Sequence, residues 1–204
     1  MHHQPITGLV GNAENIGKLL NRKNYYFVPY RQDNPITKPR SLVFDPEYII
    51  KTIKYAHSLG KKVYVAMNIY AFDTDYEEIR QMCKKLEEIK PDGIIAADPG
   101  VISTILKYAP SVPVNVSTQS NLVSLEACKF WYNQGCKRMI MAREMDKNQL
   151  KYIMENKPEG MEIEIFIHGA ICFSYSGRCF LSDFLCGRSA NYGSCAQSCR
   201  WAYN

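Results

Sequence analysis

Residues Asp45–Met67 read DPEYIIKTIKYAHSLGKKVYVAM and hold one complete helix-to-strand unit. Asp45-Pro46 is a helix-start signal, a capping carboxylate followed by proline at the first helical position. Ile49, Ile50, Ile53 and Ala56 then recur at helical spacing, and Gly60 closes the segment. Lys62–Met67 is a short apolar run, the pattern of a buried strand.

The same unit repeats outward from there. A helix from about Asp75 to Ile89 carries Met82, Leu86 and Ile89 on one face, and the Pro91-Asp92-Gly93 turn leads to strand Ile94–Ala97. A helix near Val101–Tyr108 precedes strand Val112–Val116. Helix Leu122–Gln134 ends at Gly135 ahead of strand Arg138–Ala142, and helix Lys147–Glu155 precedes strand Met161–Ile167. Strands alternating with helices mean βαβ units, hence an α/β fold with a parallel sheet. Right-handed crossovers close such a sheet either as an open doubly wound fold or as a (β/α) TIM-like barrel. No G-x-G-x-x-G follows the first strand, which argues against dinucleotide binding, and Gly100 reads as a turn. Upstream, Tyr25–Val28 has strand character and is followed by loop-like residues 31–35 and 38–40. The chain therefore divides into an atypical segment 1–40, (β/α) units over 41–170, and a Cys-rich segment 171–204.

The 204 residues are 46% hydrophobic and 22% charged, a globular balance. Net charge is +5, from 25 basic against 20 acidic side chains, which permits a nucleic-acid partner without an arginine-rich tract to demand one. No apolar stretch approaches the ~18 residues of a membrane span, and Met1–Leu20 lacks the pattern of a signal peptide. These features point to the cytoplasm, where clustered thiols more often serve metals or catalysis than disulfides.

In both parallel architectures function sits at the carboxyl ends of the strands. Those ends carry Asn68, Asp98, Ser117-Thr118-Gln119, Arg143-Glu144 and His168-Gly169. Strand ends are polar wherever loops begin, and that suffices for Asn68 and Ser117. Arg143, Glu144, Asp98 and His168 are the catalytic candidates. His2-His3 lies at a terminus and reads as a tail.

Five of the eight cysteines crowd the C-terminal segment: Cys172, Cys179, Cys186, Cys195 and Cys199. The skeleton is C-x6-C, a 15-residue gap, then C-x3-C, with Gly177, Gly187 and Gly193 alongside. Three readings fit: an iron–sulfur cluster on four thiolates, tetrahedral zinc, or unligated thiols with one nucleophile. The spacing does not choose between the metals. Cys186 is a fifth thiol, spare or substitute, and core or surface roles suffice for Cys83, Cys128 and Cys136. A nucleophile needs a base, which His168 could supply to Cys172. No G-x-S-x-G elbow, papain-like cysteine motif or H-E-x-x-H helix is present. Arg178, Arg188 and Arg200 flank the thiols and could meet phosphate.

The run E-x-F-x-x-G-A-I-C-x4-G-x-C-x-L-S, Glu164 to Ser182, resembles the signature of peptidase family U32, the collagenase-like proteases. Val63–Ile69, Ala97–Gly100, Ser117–Asn121, Ala142–Glu144 and Gly193–Trp201 are also similar to that family. The resemblance implies a peptidase by name, with no agreed catalytic residues. It also implies tRNA or rRNA hydroxylation, as in some members, and a [4Fe–4S] cluster, as in relatives that hydroxylate ubiquinone without oxygen. Cys172, Cys179 and Cys195 match cluster ligands of those relatives, and Cys199 matches a fourth used in some. Zinc remains the alternative metal. Members open with a strand and glycine-rich turn echoed here only in Gly11-Asn12, and they continue past the C-R-W segment. Five clear units against the eight of a full barrel lead to the expectation of an incomplete barrel, from a truncated or split reading frame. A second chain completing it is a candidate partner beside the RNA.

Overall fold

The computed structural model describes residues 25–29, 46–168 and 172–202. The expectations for His2, His3, Gly11, Asn12, residues 31–35 and 38–40, the Asp45 cap and Gly169 lie outside the described residues.

Six parallel strands run in the order β1 (Tyr25–Pro29), β2 (Lys62–Ala66), β3 (Gly93–Ala96), β4 (Val114–Val116), β5 (Arg138–Ile140) and β6 (Glu162–Glu164). The five expected strands are all present. The rhythm begins one strand earlier than residue 41, because Tyr25–Pro29 pairs along its whole length with Lys62–Ala66. Between the strands lie α1 (Pro46–Ser58), α2 (Tyr76–Ile89), α3 (Pro99–Tyr108), α4 (Leu125–Asn133) and α5 (Lys147–Asn156).

Several elements are shorter than the apolar runs that announce them, and the causes are local. The β4 ladder starts at Val114 because Pro113 has no N–H to give it. Helix α4 starts at Leu125 because the Ser124 hydroxyl caps the Ala127 N–H at 3.3 Å. Asp146 caps α5 through the N–H groups of Asn148 and Gln149, while the Gln149 side chain returns to the Asp146 N–H. Asp98 caps α3 by accepting from Val101 N at 2.9 Å.

The order settles the winding. A doubly wound sheet reverses its strand order at a switch point and carries helices on both faces. Here each strand pairs with the next in sequence. Ile49 and Ile53 of α1, Ile79 and Met82 of α2, Ile102 and Ile105 of α3, Cys128 of α4 and Ile153 of α5 share one core. Val63, Val65, Ile94, Ala96, Val114, Val116 and Met139 meet them there from the strands. All five helices thus cover one face of the sheet, as in a (β/α) barrel.

The opposite face carries Tyr64, Ile95 and Ile140 together with polar groups. Arg138 donates to Glu162 at 2.7 Å, to Glu164 at 3.2 Å and to Tyr64 Oη at 3.3 Å. Burial pushes the Glu164 carboxyl upward, against the pull of Arg138. Among the described residues no helix is long and apolar enough to cross a membrane.

Candidate functional site

The C-terminal segment lies across the carboxyl ends of the strands, and strand-end side chains hold it there. After β5, Arg143 donates to the carbonyl oxygens of Cys172 and, at 3.2 Å, Ser174. Glu144 accepts from Ser176 N at 2.6 Å, and Asn121 accepts from the Ser176 hydroxyl at 2.9 Å. Ser176 is fully buried with φ of 48°, a left-handed backbone that a serine adopts only when its surroundings fix it. After β2, Tyr70 N donates to Asn191 O at 3.1 Å. Arg178 donates to Tyr70 Oη at 2.9 Å and to Gln119 O at 3.1 Å. The Tyr192 hydroxyl reaches buried Asp75 at 2.7 Å.

Beneath this strap is a cavity of about 490 Å³. Cys172, Cys179, Cys195 and Cys199 all line it, as do Asn68, Gln119 and Arg143 from the strand ends and Phe166 and Phe173 from the segment after β6. Cys186 does not line it: at the end of α6 (Leu181–Cys186) it donates to Ser182 O at 2.9 Å. Cys83, Cys128 and Cys136 are buried in the helix-side core, where burial pushes their thiols up to about 12, 11 and 12.

Three of the four lining thiols, Cys172, Cys179 and Cys195, have hydrogen-bond donors at their sulfurs, the surroundings of anionic ligands. Leu181 N donates to Cys179 Sγ and Gln197 N to Cys195 Sγ, each at 3.3 Å. Such N–H···S bonds form the outer shell of thiolate-bound metals. Burial raises the Cys172 thiol, but the Ser174 hydroxyl at 2.9 Å, the Ser174 N–H and the Arg143 charge outweigh it and leave the thiol below its ordinary value. Donor type, number and charge balance therefore fit a cluster held by four thiolates. Among the described residues no three of His, Cys, Asp or Glu are gathered around one ion-sized point. The shared cavity is what brings the thiols together.

The catalytic candidates separate. Arg143 lines the cavity. Glu144 faces Ser176, and its carboxyl lies below the ordinary value because the Ser176 N–H and hydroxyl outweigh what burial adds. Asp98 is spent on the α3 cap and on Tyr76 Oη at 3.2 Å. His168 is exposed, and no described hydrogen bond joins it to Cys172. Arg178 is committed to Tyr70 and Gln119 rather than held free for phosphate. Asn68 and Ser117, whose strand-end polarity alone looked ordinary, are part of the cavity wall, as is Gln119. Tyr70 and Asn191 anchor the strap across a long sequence separation, and neither shows any motif.

A parallel (β/α) fold with a thiol-lined cavity at its carboxyl rim is the class these features define. Residues 38–204 match the model of Peptidase family U32, and the chain belongs to that family. It is 39% identical over 165 residues to the tRNA hydroxylation protein P of Escherichia coli (strain K12), covering 81% of this chain and 36% of that protein. It is 33% identical over 155 residues to the 23S rRNA 5-hydroxycytidine C2501 synthase of the same organism, covering 76% of this chain and 23% of that one. A solved U32 peptidase structure shares the fold with a TM-score of 0.63 at 17% identity, over 85% of this chain and 73% of that one. The chain spans about a third of the length of the curated relatives it matches.

Proposed function

We propose that the chain holds an iron–sulfur cluster on Cys172, Cys179, Cys195 and Cys199 and takes part in hydroxylating a pyrimidine base of tRNA or rRNA. One observation carries the reading: four thiols converge on one cavity, with Arg143 beside them, in a chain whose relatives include RNA-hydroxylating proteins. Hydroxylating a ring carbon is an oxidation, and the side chains lining this cavity have no redox chemistry suited to it. A cluster bound there would supply electron transfer to an oxidant from outside the chain. The chain's own residues hold and position it. Arg143 sets the position of the Cys172–Ser174 backbone and places a positive charge beside the thiolates. The N–H groups of Leu181 and Gln197 orient two of the sulfurs. Phe166 and Phe173 supply apolar cavity wall.

The peptidase reading that goes with the family name finds less support. It needs a nucleophile beside a base, and the described partner of Cys172 Sγ is the Ser174 hydroxyl rather than a histidine. Anaerobic purification followed by iron and acid-labile sulfide analysis tests the proposal. Both elements are expected in the wild-type chain and in Cys186→Ser. They are expected to fall several-fold when any of the four lining cysteines becomes serine. Stoichiometric zinc without sulfide, or iron that survives all four substitutions, overturns it.

A further inference from the structure

We infer that Asn68 and Gln119 read the base: their side-chain amides form the wall that holds the Watson–Crick edge of an unstacked pyrimidine within the thiol-lined cavity. This rests on the RNA reading above and names the residues that recognise the substrate. Both side chains line the same cavity as the four cysteines. Asn68 Nδ2 donates to Gln119 Oε1 at 2.8 Å, which uses one donor and one acceptor of the two amides. Asn68 Oδ1 and the Gln119 NH2 have no other hydrogen-bond partner among the described residues. Flipping both amides gives the same result, since one carbonyl and one NH2 always remain.

An acceptor beside a donor is the complement of a pyrimidine edge. Cytosine offers N3 and its amino group, and uracil offers O4 and N3–H. The wall is also held in place before any ligand arrives. The Gln119 carbonyl accepts from Tyr70 Oη at 2.6 Å and from Arg178 at 3.1 Å, and a Cβ on Gly177 would lie 3.4 Å from Gln119 Cγ. A fixed donor–acceptor pair gains affinity because little freedom is lost on binding. Phe173, 95% exposed, and Phe166, 46% exposed, line the same cavity and give an unstacked base aromatic faces to lie against.

The test is fluorescence anisotropy of the full chain with a labelled oligoadenylate carrying one central uridine, against the same strand carrying 3-methyluridine. The N3-methyl group blocks the edge and leaves the ring face for stacking. The wild-type chain is expected to prefer uridine about tenfold, the discrimination two hydrogen bonds to a base supply. Asn68→Ala and Gln119→Ala are expected to lose that preference, each binding the two strands alike. Equal wild-type affinity for both strands, or a preference that survives both substitutions, overturns the base-reading role and leaves the RNA reading standing. A chain that binds neither strand, or that binds a peptide in their place, overturns both.

Discussion

Glu144 shows how a side chain that looks catalytic in sequence can be a fixture. It follows a strand, next to an arginine, on the rim where such folds place their chemistry. Its carboxylate is instead occupied by the N–H and hydroxyl of Ser176, at 2.6 and 3.2 Å. That contact helps hold Ser176 in its left-handed conformation in the turn between Cys172 and Cys179. Glu144→Ala is expected to cost about 1 kcal/mol locally, read as a roughly fivefold faster exchange of the Ser176 amide hydrogen. The pH dependence has a definite sign. The carboxyl is lower in the folded chain than its ordinary value, so its stabilisation is complete above that ordinary value. It is lost as pH falls through the depressed folded value. Acid loosening of this turn is therefore expected in wild type and absent from Glu144→Gln. Ser176 exchange that is the same in all three chains at neutral and acid pH would rule the role out.

At the scale of elements, the inner face of the sheet is crowded where β2, β3 and β4 meet. A Cβ added at Gly93 would lie 2.7 Å from Asn115 Nδ2 and 2.9 Å from Tyr64 Cδ1. Both neighbours are themselves buried, so neither swings clear. Gly93→Ala is expected to destabilise the chain by about 1–3 kcal/mol, a drop of several degrees in Tm for a chain of this size. An unchanged melting curve would show that β3 can shift. The elements themselves were largely legible in sequence. Ile49, Ile53, Met82 and Leu86 keep helical spacing because they face one continuous core, and the strands read as apolar runs because helices cover one face while Tyr64, Ile95 and Ile140 are buried on the other. β1 was harder to place, since Tyr25–Pro29 stands apart from the repeating units and only its ladder to β2 fixes it. The site was half legible. Sequence clustering exposed the four thiols, because a segment that wraps a ligand brings its own donors close together. Asn68 and Gln119 stood out only as strand-end residues, and their contact was not visible, because they are 51 residues apart and meet only once β2 and β4 lie in register through β3.

The whole molecule combines two kinds of stability. The sheet and its helices share a continuous apolar core. Residues 172–202 contribute little to it: their regular structure is two 3-10 turns and the short α6, and Phe173, Phe180 and Phe184 stand in solvent. What fastens the strap is a set of separate hydrogen bonds, Arg143 to Ser174, Glu144 to Ser176, Tyr70 to Asn191 and Asp75 to Tyr192. Each contributes about 1 kcal/mol, so the strap opens at lower free energy than the sheet. A ligand bound only to the closed strap adds its binding free energy to that closure. With the four proposed ligands spread from Cys172 to Cys199, loading iron and sulfide is expected to slow amide exchange throughout 172–202. The strands β2 to β5 should exchange at the same late rate with or without it. Removing the metal with a chelator should return the strap to fast exchange and leave the sheet protected. If loading slows exchange in the sheet as much as in the strap, the two are one cooperative unit. If it slows exchange in neither, the cysteines of the strap do not hold the cluster.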